Sequence, residues 1–301
     1  MSAEQKKGFT IYMVDAFTDQ VFGGNPAAVC LLSSDQAQQL SDREHQNIAA
    51  ELNLPVTAFI VSNNGDFTAT SKFGLRWFTT TKEIPLCGHG TMAASAVIFN
   101  AVGNTNEQIE FSCKSGLLNV ACASNDRISM SFPMNPSTPM SQEEVRKLLE
   151  VTVGSLDLIQ DVEVSEIGML LVRLKDEVSR ETLEKLNPPS ELMVSAYSKE
   201  NFHGLGVTVK GSRDNGCVNK EGQVYDFVSR FFTPWQGVLE DPVCGAWHTV
   251  NCGYWSKQLG KTDLYVRQCS SRGGDLWLTV GKDRVTIMGH SVITMKGQFS
   301  L

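Results

Sequence analysis

Two cysteines in this chain stand where a thiol could move a proton. Cys87 lies in Cys87-Gly88-His89-Gly90, and Cys244 in Asp241-Pro242-Val243-Cys244-Gly245. Each Cys-Gly pair opens a run of small and apolar residues that reads as a helix. Unpaired N–H groups and the dipole at a helix start favour negative charge, so they lower a thiol pKa from its reference of about 8.5. A drop of roughly two units leaves most of the sulfur as thiolate at pH 7. The same N–H groups suit a carboxylate, held at Gly88 and Gly90 in one copy and at Gly245 and Ala246 in the other. His89 and Asp241 add groups that can orient a substrate or relay a proton. The plainer reading of each motif is a small buried Cys, a capping His and an N-capping Asp.

The two sites belong to a repeat. Arg76-Trp77-Phe78-Thr79 is followed after seven residues by Cys87-Gly88, and Arg230-Phe231-Phe232-Thr233 after ten by Cys244-Gly245. A duplicated strand–loop–helix unit predicts two related halves. Facing halves would bring both thiols to one cleft, which suits a base and an acid on opposite sides of one carbon. Arg76 and Arg230 either pin a loop or carboxylate there or form repeated structural ion pairs. The remaining histidines read as structural: His248 one turn into the second helix, His45 on the solvent side of an amphipathic helix, His203 and His290 in turns.

Composition narrows the class. The 301 residues are 42% hydrophobic and 20% charged, which predicts a soluble protein of two ordinary domains. A net charge of −7 without a Lys/Arg tract argues against nucleic acid. The polar start, Met1 to Gly8, has no secretory h-region, and no segment has the length of a membrane span. The expectation is therefore a cytoplasmic protein with eight reduced cysteines. No Cys-x-x-Cys, P-loop or Gly-x-Gly-x-x-Gly occurs, so neither metal nor nucleotide is predicted.

Strands are expected at 9–17, 27–32, 58–62 and 67–78, with a turn at Gly23-Gly24-Asn25-Pro26 and a helix capped by Ser41 and Glu44. A buried helix follows over 90–99, then strands at 108–113, 117–122 and 128–132. The second half predicts a helix from Ser141, strands near 163–174, 203–210 and 225–232, a helix over 246–259, and β-structure over 264–299. This order is α+β rather than a regular βαβ alternation. The predicted division is 1–126 and 127–289, with a last strand at about 290–301 packing back on the first domain.

The ordered motifs carry a family resemblance. Asp15-Ala16-Phe17, Gly24-Asn25-Pro26-Ala27-Ala28-Val29, Glu51-Leu52-Asn53-Leu54, Cys87-Gly88-His89 and Glu240-Asp241-Pro242-Val243 resemble the PhzF family, in its animal phenazine-biosynthesis-like branch. The resemblance spans nearly the whole chain. It implies the diaminopimelate epimerase-like fold, two pseudo-symmetric domains each with a curved β-sheet around a central helix. It also implies isomerase chemistry without a cofactor, and frequent homodimers. The family's catalytic glutamate follows Asn-Leu-Ser; here that run is Asn53-Leu54-Pro55, and the glutamate's place is held by Val56, which cannot transfer a proton. His89 and Asp241 match the family pattern, whereas the family's Thr-Gly-Ser is Cys244-Gly245-Ala246. Two-cysteine racemases of similar fold resemble both thiol sites, and Asn25 falls where that superfold places a substrate-binding asparagine. Trp247 is bulky and expected to narrow the pocket. The function expected is proton movement on a small carboxylate by Cys87 and Cys244. The alternative is an impaired relative acting as a metabolite- or protein-binding scaffold.

Overall fold

The computed structural model describes residues 8–301. The predicted polar start therefore lies outside the described residues, apart from Gly8. In chain order the first elements are β1 (Gly8–Ala16), β2 (Asn25–Ser33), α1 (Ser34–Gln39), α2 (Asp42–Leu52), β3 (Thr57–Ser62) and β4 (Lys72–Phe78). Next come β5 (Glu83–Ile84), α3 (Gly88–Ala96, extended by a π-helical turn Val97–Ala101), β6 (Gln108–Cys113), β7 (Gly116–Cys122) and β8 (Ile128–Pro133). The second half contains β9 (Ser137–Pro139), α4 (Arg146–Val153), β10 (Ile159–Ser165), β11 (Met169–Leu174), α5 (Arg180–Glu184), α6 (Ser190–Ala196) and β12 (Gly204–Lys210). It closes with β13 (Phe227–Phe232), α7 (Gly245–Leu259), β14 (Asp263–Gln268), β15 (Gly274–Val280), β16 (Arg284–Gly289) and β17 (Ser291–Ser300). No helix among the described residues is long and apolar enough to cross a membrane.

The chain divides into two compact units. One runs to Ser131 and takes back Met288–Leu301; the other is Phe132–Ile287. The crossing falls a few residues beyond the 126 expected from the sequence, for a structural reason. Val120 to Cys122 of β7 pair with Ile128 to Met130 of β8. A cut at 126 would split that hairpin.

In the first unit β17, β1 and β2 pair antiparallel, β2 and β3 parallel, β3 and β4 antiparallel, β4 and β6 parallel, and β6, β7 and β8 antiparallel. In the second, β9, β10 and β11 pair antiparallel, β11 and β12 parallel, β12 and β13 antiparallel, β13 and β14 parallel, and β14 and β15 antiparallel. The two patterns coincide over six successive pairings. Parallel neighbours need a crossover, and helices supply it at matching places. Helices α1 and α2 carry β2 to β3, as α5 and α6 carry β11 to β12. Helix α3 lies between β4 and β6, as α7 lies between β13 and β14.

Both central helices are largely buried, α3 with small and apolar residues on every side and α7 up to its last turn. Residues Gly90 to Ala96 of α3 are all buried, and the helix packs on β1, β2, β3 and β17. Its hydroxyls are satisfied within the helix: Thr91 Oγ1 donates to the Cys87 carbonyl at 2.7 Å and Ser95 Oγ to the Thr91 carbonyl at 2.8 Å. Helix α7 packs on β9, β11, β14 and β15 and buries Trp247 and Trp255 completely. Each indole N–H finds a hydroxyl, Ser229 Oγ at 3.1 Å and Thr208 Oγ1 at 2.9 Å. Burying each such side chain contributes roughly 1.5–3 kcal/mol.

Local details depart from the sequence reading in instructive places. The Ser41 cap and its capping box form as expected, with Ser41 and Glu44 bonding reciprocally. His45, expected toward solvent, is 2% exposed. It shares a helix face with Ile48 and Ala49, and its ring lies edge-on to Phe59 and stacks on Phe78. The helices α1, α5 and α6 have no counterpart in the sequence reading, and the single strand expected over 163–174 is the hairpin of β10 and β11. Between β1 and β2, Gly24 has φ +61°, and a Cβ there would lie 2.1 Å from the Ala16 carbonyl oxygen. Only glycine fits that turn.

Candidate active site

The first-unit site is assembled at the start of α3. Cys87 is its N-cap residue, with extended backbone and no capping bond from the side chain. The residue is 8% exposed. Its Sγ lies 3.5 Å from His89 Nδ1. His89 is half-buried, and desolvation of its ring holds the imidazole down to about 4. His89 is therefore neutral at pH 7 and is not a standing cation beside the thiol. Gly88 is half-buried and Gly90 buried, both in the first turn.

Val56 meets that same turn. It is 1% exposed and sits just before β3. A Cβ on Gly90 would lie 3.1 Å from Val56 Cγ1 and 2.8 Å from Trp77 Cδ1. Gly90 is thus the residue that lets Val56 and Trp77 approach the helix. Trp77 is buried, and its Nε1 has no hydrogen-bond partner. Hydrocarbon occupies the place that the resemblance reserves for a carboxylate. Asn25, the other first-unit candidate, is fully buried at the start of β2, paired in register with Ala16.

The second-unit site stands at the equivalent place. Cys244 is the N-cap of α7 and is also 8% exposed. Here the sulfur does cap: it accepts from the Trp247 backbone N–H at 3.4 Å. Its own N–H donates to Gln268 Oε1 at 2.9 Å, while Gln268 Nε2 donates to the Asp241 carbonyl at 2.5 Å. One fully buried amide thus spans the turn from Asp241 to Cys244. The Asp241 N–H donates to the Phe231 carbonyl at 3.1 Å. Gly245 is buried and Ala246 exposed.

His248 lies below Cys244, fully buried, with Nδ1 2.8 Å from the Cys244 carbonyl. A carbonyl can only accept, so Nδ1 carries the proton and Nε2 is a lone pair without a partner. Burial holds this imidazole at about 4. Trp247 does not crowd the site as expected. Its ring stacks on Phe231 at 5.3 Å and covers Gly206, where a Cβ would fall 2.2 Å from the indole. The missing side chain at Gly206 gives the indole its place inside the second unit.

Several residues escaped the sequence reading. Gln268 lies 24 positions beyond Cys244, on β14, and no local signal marks it. Glu83 and Glu240 did carry one: the chain reads Glu83-Ile84-Pro85-Leu86-Cys87-Gly88 and Glu240-Asp241-Pro242-Val243-Cys244-Gly245. The repeat is longer than the Arg and Cys-Gly landmarks suggested. Arg76 bonds Glu83 through Nε and Nη2 at 2.8 and 2.9 Å, and Arg230 bonds Glu240 in the same way at 2.8 and 2.7 Å.

The family model for phenazine biosynthesis-like proteins matches residues 14–297. The chain belongs to this family, PhzC/PhzF. It is 43% identical to the phenazine biosynthesis-like domain-containing protein of Bos taurus, over 95% of this chain and 97% of the relative. It is 35% identical to an uncharacterized isomerase of Pseudomonas aeruginosa, covering 96% and 98%. Among solved structures, a PhzF-family protein of Enterococcus faecalis superposes with a TM-score of 0.81 at 34% identity, over 98% of this chain and all of the other. A hydroxyproline epimerase of Agrobacterium vitis shares the fold at 10% identity, with a TM-score of 0.54 over 99% and 94%. The α+β, epimerase-like architecture expected from the sequence is the architecture of the family. Against the family resemblance drawn from the motifs, the valine at position 56 is the departure that bears most on chemistry.

Proposed function

We propose that this protein is a cofactor-independent isomerase or epimerase that moves a proton on a small carboxylate, with Cys87 and Cys244 as the acid–base pair. The observation that carries the reading is the matched placement of the two thiols, each the N-cap of the buried central helix of its own unit. In this reading one thiolate removes the proton from one face of the α-carbon while the other thiol protonates the opposite face. The bond broken is C–H and the bond formed is C–H, so charge and atoms balance without an oxidant. His89, 3.5 Å from Cys87 Sγ, orients that thiol. The first N–H groups of α3 and α7 hold the carboxylate and stabilise the enolate-like charge. Asn25 and Asp241 complete substrate binding. The isomerase name of the Pseudomonas relative and the epimerase fold support the same class of reaction.

A second reading rests on Val56. Buried hydrocarbon at that position leaves no proton carrier there, which fits a family member that binds a metabolite or protein without turning it over. Exchange in D₂O separates the two. Amino, hydroxy and cyclic imino acids are incubated with the protein, and α-deuterium is followed by mass spectrometry. The isomerase reading expects exchange with at least one acid, lost by a hundredfold or more in Cys87→Ser or Cys244→Ser. No exchange across the panel would favour the scaffold, and exchange indifferent to both substitutions would overturn the thiol pair.

A further inference from the structure

The two thiol loops are fastened by one device, built twice. In the first unit Arg76 holds Glu83 through two parallel bonds, reaches Asp42 Oδ1 at 2.7 Å with Nη2, and lies 5.0 Å over the Phe78 ring. In the second unit Arg230 holds Glu240 through two parallel bonds and lies 4.8 Å over the Phe232 ring. Its Nη1 reaches the carbonyls of Leu183, Glu184 and Leu186, at 3.2, 2.9 and 2.5 Å. Both glutamates have side chains only 14% exposed. Each also pairs by backbone with the aromatic residue two places after its arginine, Glu83 with Phe78 and Glu240 with Phe232. Each stands four residues before its cysteine, with a proline two residues before it.

From this we infer that Arg76–Glu83 and Arg230–Glu240 are a matched pair of positioning clamps, each setting the thiol of its own unit at the start of its helix. The inference rests on reading Cys87 and Cys244 as the reactive thiols. Its physical basis is short reach. Once the glutamate is fixed by carboxylate and backbone together, three residues remain before the cysteine, and one is a proline with its φ already set. The cysteine begins the helix, so its other side is fixed as well. The arginine ties the thiol loop to the crossover helices, at the first turn of α2 in one unit and at the C-terminal end of α5 in the other. A planar fork that grips both carboxylate oxygens fixes direction as well as distance, which an ammonium cannot do. Loss of charge at Glu83 is opposed strongly, since the Arg76 bond, aided by Lys114, pulls its carboxyl down to about 2.

The test reads each thiol separately in the full-length protein. Iodoacetamide labelling is followed across pH by peptide mass spectrometry, for wild type and for Arg76→Lys, Glu83→Gln, Arg230→Lys and Glu240→Gln. The first two should change the labelling rate of Cys87, or its pH midpoint, by at least about threefold, equivalent to half a pKa unit. Cys244 should stay within about twofold of wild type in the same variants. The second two should do the reverse. The exchanged pair Arg76→Glu with Glu83→Arg should recover part of the Cys87 profile. Equal changes at both thiols would show general loosening and overturn the inference, as would unchanged profiles in folded variants. A variant that does not fold is replaced by its conservative partner, Glu83→Gln for Arg76→Lys or Glu240→Gln for Arg230→Lys. The labelling needs no substrate, so absence of isomerase activity would leave its result intact, and active enzyme with unmoved thiol profiles would sink the clamps alone.

Discussion

A neutral imidazole beside a thiol behaves differently from a charged one, and both histidines of the central helices are kept neutral by burial. For His248 this has a stability consequence. Its folded value of about 4 lies below the ordinary 6.5. The unfolded chain thus binds the proton more readily, so the stability it contributes is fully present above pH 6.5 and is lost as pH falls through 4. The full effect is on the order of 3 kcal/mol. Urea unfolding between pH 7 and 4.5 should show that decline in wild type and a shallower one in His248→Asn. Equal slopes would mean that the buried ring is not the group being titrated. At this scale the sequence offered candidate residues and not their surroundings. His45 looked polar enough for the surface, yet two phenylalanines from β3 and β4 enclose it. Trp247 looked like an obstruction, yet a glycine on a distant strand gives it room.

Elements were more legible than surroundings. The capping box at Ser41, the hairpin of β1 and β2, and the two central helices follow from short-range pattern alone. The short helices α1, α5 and α6 do not, because they rest on partners elsewhere in the chain, α1 on β2 and β3, α5 on β12 and β13, and α6 on α4, rather than on their own periodicity. Strand β12 shows how far an element depends on a partner remote in sequence. Gly206 in its middle would be a weakness in an isolated strand. Here it is the seat of Trp247, and Gly206→Ala would place a methyl group 2.2 Å from the indole. That substitution should lower stability by about 1–3 kcal/mol or more, measured by urea unfolding. Trp247→Phe in the Gly206→Ala background should lose less than the two separate costs combined. Strict additivity would show that the two residues do not share the space.

For the molecule as a whole, duplication was the readable feature. The landmarks Arg-x-Phe-Thr and Cys-Gly announced two related halves, and the strand pairing repeats in the same order of parallel and antiparallel neighbours. The point where the chain leaves the first unit was less legible, since the turn near Asp126 resembles a linker and is the tip of a hairpin. The last strand, β17, pairs along the whole length of β1: Gly8 faces Ser300 and Ala16 faces Ser291. Phe9 stacks on Phe299 at 5.4 Å, closing the small core under α1 and α2. Ending the chain at His290 should therefore expose one edge of β1 and lower the melting temperature by about 10 °C or more, or leave the protein insoluble. A truncated protein that melts with wild type would mean that the first unit does not depend on β17.

The account turns on two thiols sharing one reaction, and the position of the label tests that most directly. With an acid that exchanges, the reaction is run in D₂O to low conversion, and substrate and product enantiomers are separated. A two-thiol enzyme places solvent deuterium in the product while recovered substrate keeps its protium. Deuterium in recovered substrate as abundant as in product would mean a single group serving both directions and would contradict the pairing of Cys87 with Cys244.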